Sequence, residues 1–402
     1  MSIRPEPMTA PEVKAIAAWL IDGARSAPLA EDVLAELCTR LVASGIALWR
    51  AAVFVRTLHP QVMGRRFLWR PDSGVTVVEA PFEMLETAEF RDSPVAQVYA
   101  SGVALRRRLV DDAAADLPML REFRAEGATD YLAVPLVFTD NAIHVATWTT
   151  RRPGGFSDAE IAALELIVAP LARVAEIRAF RRTAVTLLDT YVGRQAGARI
   201  LAGHIRRGDT EAIRAAIWLS DMRGFTARAD RLKPQHLIDL LNRYFDCQVA
   251  AIEEHGGEVL KFIGDGLLAI FPLGGKGAEA DAVCRQALAA ACEARAKVAA
   301  LAGTPEVTAE GRLRFGLALH LGEVLYGNIG GGNRLDFTCI GPAVNLAARI
   351  EKLTGALGRV ILASDSFARH CRPGMVAVGE FTLAGFSTAQ TVFGLGDEVA
   401  PG

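Results

Sequence analysis

Apolar and polar positions along this chain follow two different rhythms, and the change between them falls near residue 155. Helical spacing is visible over Val13–Leu20 and again at Val33, Leu34, Leu37 and Leu41, positions that fall on one side of a 3.6-residue turn. Short β-branched and aromatic runs follow at Trp49–Val55, Phe67–Trp69 and Val75–Val78. Next come a helical stretch near Pro94–Ala100 and strand patterns at Leu105–Val110, Tyr131–Phe138 and Ile143–Thr149. Strands bracketed by helices predict an α+β sandwich over residues 1–155.

Gly154-Gly155 closes that region, and Ser157-Asp-Ala-Glu160 has the spacing of a capping box, in which each side chain satisfies a backbone N–H that the first turn leaves open. A long helix is expected from there to about Tyr191, with Ile161, Leu164, Val168, Leu171, Ala175 and Leu188 on one stripe and Pro170 as a place to bend. Such a helix either completes the sandwich or pairs with a second copy as a parallel coiled coil, and its length favours the coiled coil. Residues 156–210 are therefore read as a connecting segment.

Beyond residue 210 strands and helices alternate. "AAIWLS" reads as a strand, and "KPQHLIDLLNRYFDCQVAAIEEHG" as an amphipathic helix stopped by Gly256-Gly257. "GEVLKFIGDGLLAIF" reads as a hairpin turning at Gly-Asp-Gly. "AEADAVCRQALAAACEARAKVAAL" is an Ala-rich helix, "LRFGLALHLGEVLYGNI" and "RLDFTCIG" are strands, and "PAVNLAARIEKL" is a helix with Pro342 at its first position. Residues 211–402 form the second expected domain.

Composition narrows the function classes. With 402 residues, 51% of them hydrophobic, the chain can bury two cores, and a net charge of −2 argues against a general basic field for nucleic acid. The six cysteines show no CxxC spacing and read as reduced core residues. The apolar stretch Ile161–Ile177 is broken by Glu165, Pro170, Arg173 and Glu176, so no membrane span is expected, and without an apolar leader the expected location is cytoplasmic.

Two aspartates carry the candidate chemistry. Asp221 ends a buried strand, and Asp265 stands between Gly264 and Gly266 at the hairpin tip. Either alone has a plain structural explanation, as a helix N-cap or a turn residue. Together they place two hard oxygen donors at one sheet edge, where Mg²⁺ is held, while the glycines allow close approach by a triphosphate. The backbone amides after Asp221, around Phe225 and Thr226, open a helix and point at anions.

Three segments in order, "AIWLSDMRGFTARADRLKPQHLIDLLNRYFD", "HGGEVLKFIGDGLLAIF" and "RLDFTCIGPAVNLAARIEKLTG", resemble a class III nucleotidyl cyclase catalytic domain. "LLDTYVGRQAGARILAG" resembles the transducing segment that precedes such domains, and "EGATDYLAVPLVFTDNAIHVATWTT" with "GFSDAEIAALELI" resembles a GAF sensor domain. The cyclase resemblance implies two metal ions, Mg²⁺ or Mn²⁺, on Asp221 and Asp265, with Lys261 at the purine. It places Thr338 where many relatives have a base-selecting Asp, a Lys/Thr bacterial subgroup read as ATP-specific. It implies that Asn345 orients the ribose and Arg349 stabilises the α-phosphate, with Arg334 as a pyrophosphate ligand. It further implies sites shared across a homodimer, the aspartates from one copy and Lys261, Thr338, Asn345 and Arg349 from its partner. The expectation is thus an adenylate cyclase making 3′,5′-cyclic AMP from ATP, regulated by a small molecule or ion at the N-terminal domain.

One departure stands out. Where relatives carry a basic phosphate contact, Ala384 and Phe386 flank Gly385, and one lost charge-assisted contact costs about 1.5–3 kcal/mol. The competing readings are a guanylate cyclase, which would usually have Glu at position 261, and a weakly active nucleotide-binding relic. A diguanylate cyclase is disfavoured because no GG(D/E)EF sequence occurs.

Overall fold

The computed structural model describes residues 10–110, 117–274, 280–305, 307, 313–332 and 334–398. The chain forms two compact units, Met1–Leu187 and Leu188–Gly402.

The N-terminal unit is a six-stranded sheet, β1 (Arg50–Arg56), β2 (Val62–Arg70), β3 (Gly74–Pro81), β4 (Leu105–Arg108), β5 (Asp130–Val137) and β6 (Ile143–Thr150), in the order β3-β2-β1-β6-β5-β4. Every neighbouring pair is antiparallel. Strand alternation sends Ala51, Val53 and Val55 to one face, against Val33, Leu34, Leu37 and Leu41 of helix Ala30–Ala43 and Leu164, Ile167 and Leu171 of the long helix Asp158–Val192. The other face packs Tyr131, Ala133 and Val145 on Val95 and Val98 of helix Pro94–Ser101 and on Leu120 and Phe123 of helix Pro118–Ala125. This is the expected α+β sandwich.

The capping box forms as read: Ser157 N–H and Oγ both donate to Glu160 Oε2 at 2.8 Å, and Glu160 N–H returns to Ser157 Oγ. Arg152 adds an ion pair to the same Glu160. The helix then runs to Val192 with Pro170 inside it. Its buried stripe is Ala163, Leu164, Ile167, Leu171 and Val174, whereas Ile161, Val168 and Ala175 are half-buried at its edge. From residue 175 to 192 no side chain is buried.

The C-terminal unit is built on β7 (Thr210–Met222), β8 (Glu258–Ile263), β9 (Gly266–Pro272), β10 (Phe315–Gly331), β11 (Arg334–Ile340), β12 (Ile361–Ser364), β13 (Met375–Phe381) and β14 (Gln390–Leu395). Their order is β13-β14-β12-β10-β7-β9-β8, with β11 paired to the far half of β10. β7 and β10 are central and covered on both faces, which is why they read as continuous apolar runs. Trp218, Leu317 and Leu319 face helices Pro234–Glu254 and Ala280–Ala302, while Ile217, Ala318, Leu268 and Ile270 face helix Pro342–Ala356 and the short helix Arg194–Leu201. Full burial of a side chain such as Leu317 or Ile217 contributes about 1.5–3 kcal/mol. Leu346 and Ile350 point into this core as expected, leaving Asn345 and Arg349 on the exposed face of their helix. All six cysteines are free thiols.

Candidate active site

The site begins at the last turn of β7. Antiparallel pairing sets Ser220 opposite Leu267 and Ile263 opposite Gly266, so the β8–β9 tip folds directly over the end of β7. The connection is the two residues Gly264 and Asp265, with Gly264 at φ +65°, a left-handed value that glycine adopts without strain. Gly266 has a different role from the one the sequence suggests. A Cβ there would lie 2.9 Å from Ser220 O and 3.2 Å from Asp221 Oδ1, so the missing side chain admits β7 itself rather than a ligand.

That close approach brings Asp221 and Asp265 side by side, near enough for a carboxyl–carboxyl hydrogen bond. Burial first, and then the Asp221 charge, push Asp265 above the ordinary carboxylate value, partly offset by backbone N–H donors including Met222. Two carboxylates in this relation repel unless a proton or a cation lies between them. Next to them burial pushes the Tyr244 phenol far up, and Ser220 Oγ donates to Gln248 Oε1 at 2.6 Å, so the adjoining polar groups are neutral and offer no counter-charge. Asp221 is not a helix cap: the following short helix Phe225–Ala229 takes Gly224 as its N-cap. Phe225 is half-buried and Thr226 exposed there, one turn from Asp221.

Arg223, two residues past Asp221, ties this loop to the helix that carries Asn345 and Arg349. Its Nη2 donates to Glu351 Oε1 at 2.8 Å and to Glu351 O at 3.0 Å. Gly316 makes the crossing possible, because a Cβ there would overlap Arg223 and Thr354. Burial raises the Glu351 carboxyl and Arg223 opposes that. Sequence reading missed this pair; its only signal is an arginine inside "DMRGFT" and a glutamate directly after Ile350.

Lys261 sits on β8 beside a register shift between Val259 and Lys261. Its Nζ donates to Asp336 Oδ2 at 2.8 Å, so the lysine meets β11 through Asp336 rather than through Thr338. Thr338 is buried, and its hydroxyl has no hydrogen-bond partner among the described residues. Asp336 was the missed member; it shares a strand face with Thr338 two residues on. Arg334 is exposed at the start of β11, paired to Gly331 across the hairpin. The structure thus unites Asp221 with Asp265 and Lys261 with the Thr338 strand. Within one chain no hydrogen bond or ion pair among the described residues joins Asn345, Arg349 or Arg334 to the aspartates. Among the described residues no cluster of three or more His, Cys, Asp or Glu could hold a metal by itself.

Comparison with known proteins places this geometry. Residues 210–393 match the family described as the adenylate and guanylate cyclase catalytic domain. The chain is 34% identical over 169 residues to an adenylate cyclase of Anabaena cylindrica, spanning 42% of this chain and 32% of that protein. It is 30% identical over 181 residues to adenylate cyclase 1 of Rhizobium meliloti (strain 1021), spanning 43% of this chain and 26% of that protein. The chain therefore covers about a third or less of the length of these curated relatives. Among solved structures, the adenylyl cyclase CyaB from P. aeruginosa aligns at 26% identity and a TM-score of 0.40, over 48% of this chain and 99% of that one. On the family match and the two relatives, residues 210–393 are a class III adenylate/guanylate cyclase catalytic domain. No described helix is long and apolar enough to cross a membrane.

Proposed function

We propose that this domain is an adenylate cyclase that closes ATP to 3′,5′-cyclic AMP with release of pyrophosphate. The observation that carries this reading is the Asp221–Asp265 pair, two neighbouring carboxylates with no ion-pair partner among the described residues. That electrostatic situation fits two Mg²⁺ or Mn²⁺ ions, with triphosphate oxygens completing a donor set that the protein leaves short. Bound there, the ions supply the charge that lowers the pKa of the ribose 3′-hydroxyl and neutralises the leaving pyrophosphate.

The remaining work falls to this chain's own groups. Asp221 and Asp265 would hold those ions and through them fix the triphosphate for in-line attack on the α-phosphorus, so the gain is positional and electrostatic. The amides near Phe225 and Thr226, with the open turn at Gly264, face its anionic oxygens. Asn345 holds the ribose, and Arg349 stabilises charge developing on the α-phosphate. Arg334 addresses the pyrophosphate, and no basic residue stands beside Gly385 to assist. Lys261 reads the purine. Its ion pair with Asp336 is only partly shielded, at 33% and 57% side-chain exposure, and such a pair is worth about 0–1 kcal/mol. Exchanging Asp336 for a base edge therefore costs little. Thr338 lies behind that pair.

Because Asn345 and Arg349 make no bond to the aspartates of their own chain, a second copy is the natural source of the missing half of each site, giving a two-fold dimer with two equivalent centres. The stretch 175–192 of the long helix, where no side chain is fully buried, is the second expected contact between copies. The N-terminal unit is assigned a GAF-type sensing role in the cytoplasm, acting on the closed–open equilibrium of that dimer.

The test is product analysis of purified protein with ATP or GTP and Mg²⁺ or Mn²⁺, alongside an Asp265→Ala control. Cyclic AMP from ATP that disappears in the control supports the proposal. Cyclic GMP alone transfers the reading to a guanylate cyclase, and no cyclic product with either nucleotide leaves a regulatory relic.

A further inference from the structure

The N-terminal unit holds a second like-charge arrangement that nothing in the cyclase chemistry uses. Between β1–β3 and the segment 81–99 lies a cavity of about 380 Å³, lined by Phe54, Val78, Ala80, Met84, Phe90 and Val95, with Glu83 and Glu89 at its exposed rim. Arg65, already paired with Glu79, lines it too, and so do Arg50 and Arg66. Register places them on one face: Arg66 is opposite Phe54, and Arg50 lies four residues earlier on the same strand.

Arg50 is 95% buried by its 5% exposure. Among the described residues it has no hydrogen-bond or ion-pair partner; its guanidinium stacks 4.6 Å from the Phe123 ring centroid, which leaves the N–H edges free. Arg66 Nε is likewise buried without a partner. The neighbouring acids are already engaged, since Arg65 pairs with Glu79 and Arg70 with Glu126, while Glu83 and Glu89 stay in solvent at the rim. Burial pulls Arg50 down to about 10, and Arg66 and Arg70 add to that; Tyr131 and Glu126 oppose it only in part, and neither is bonded to the guanidinium. An unpaired buried guanidinium such as that of Arg50 destabilises the empty fold, and together with the half-buried Arg66, whose Nε is buried, it gives one apolar cavity a standing receptor for an anion whose oxygens accept paired N–H donors.

We propose that this cavity binds a small organic anion, its apolar ring-sized body against Phe54, Met84 and Phe90 and its single carboxylate or phosphate group held by Arg50 and Arg66. The volume lies within the range of small-molecule sites, and the polar handles are few and directional, as such sites require.

Isothermal calorimetry on the full chain tests this with three probes of similar body: 1-naphthoate, 1-naphthyl phosphate and neutral 1-naphthylmethanol. At least one anion should bind saturably at one site per chain, at least tenfold more tightly than the alcohol, and the stronger anion tells carboxylate from phosphate. Arg50→Met and Arg66→Met should each weaken that anion at least tenfold and leave the alcohol unchanged. The ligand-free melting temperature of Arg50→Met should equal or exceed that of the parent, since an unpaired buried charge is removed. A structural arginine would instead lower it. If Arg50→Met does not fold, Arg66→Met decides: a tenfold loss of anion binding supports the proposal, and unchanged binding overturns it. Absence of saturable anion binding, equal affinity for the alcohol, or indifference to both variants overturns the proposal.

Discussion

Each unit of this chain keeps two like charges together in partly dry surroundings, with opposite sign. In the C-terminal unit Asp221 and Asp265 meet because a glycine lets a hairpin tip close on a strand end. In the N-terminal unit Arg50 and Arg66 share one cavity because two antiparallel strands place them on the same face. Elsewhere the same fold pairs its buried charges with care. Asp130 accepts from Arg106 Nη2 at 2.7 Å and from Phe156 N–H at 3.0 Å, and Arg223 holds Glu351. Unsatisfied like charges in a molecule that otherwise neutralises its interior mark both places as candidate binding sites. As proposed, the acidic pair takes cations and phosphates together, and the basic pair a single anionic group.

Four experiments break or sharpen that contrast. The largest effect is expected from Asp265→Ala. Removing one half of the acidic pair should reduce cyclase turnover by roughly 10³-fold or more, the scale of losing one preorganised electrostatic group, while circular dichroism stays unchanged. Retained turnover would show that the pair is not the catalytic centre. Next, Arg223→Met should destabilise the C-terminal unit by about 3 kcal/mol, because it strands a buried Glu351 carboxylate. Denaturant melts of the single variant and of Arg223→Met with Glu351→Leu check this: the double variant should recover most of the loss, and failure to do so would mean the arginine matters for packing alone. Lys261→Ala should then lower kcat/KM for ATP by roughly 10–100-fold, the value of one charged hydrogen bond, with steady-state assays on ATP and GTP showing whether the loss is specific to adenine.

The smallest effect is one that both units share. His144 accepts a hydrogen bond at Nδ1 from Arg56 N–H at 3.0 Å, and His320 Nδ1 lies 2.7 Å from Ser364 Oγ. Burial lowers each to about 4 from an ordinary 6.5. A depressed histidine means the unfolded chain takes up the proton first. Stability from these groups is therefore complete above pH 6.5 and is lost as pH falls toward 4, by about 1.4 kcal/mol per pH unit for each at most. Scanning calorimetry between pH 7 and 5 should show both units weakening. His320→Gln should flatten the response of the C-terminal unit only, and an unchanged slope would remove His320 from the account.

Much of the catalytic unit was legible because its chemistry sits at positions that local pattern marks. Asp221 follows a run of apolar residues that only a doubly covered strand explains, and Asp265 stands between glycines in a two-residue turn. Asn345 and Arg349 are told from Leu346 and Ile350 by helical spacing alone. Asp336 escaped notice because a register shift at Lys261 re-aims that lysine, and a bulge leaves no trace in a strand's hydrophobic pattern. Thr338 stood out instead, two residues away on the same face. Arg223 and Glu351 were missed since their partnership spans 128 residues and depends on the bare Cα of Gly316. The arginine cavity was equally hidden: Arg50 and Arg66 look like ordinary strand-end and mid-strand charges until β1 and β2 are aligned.

What the amino-acid sequence determined by itself was every feature encoded in short-range period and turn chemistry: the α+β sandwich, the capped long helix, the cyclase strand–hairpin–helix order and the two acidic residues. Only the tertiary structure decided which distant groups share a space, namely that Gly266 serves the strand rather than the ligand, that Lys261 leans on Asp336, and that Arg50 and Arg66 line one cavity with no ion-pair partner among the described residues. The reason is physical. Local propensity acts over a few residues, whereas desolvation and charge pairing depend on distances that exist only once remote segments have packed.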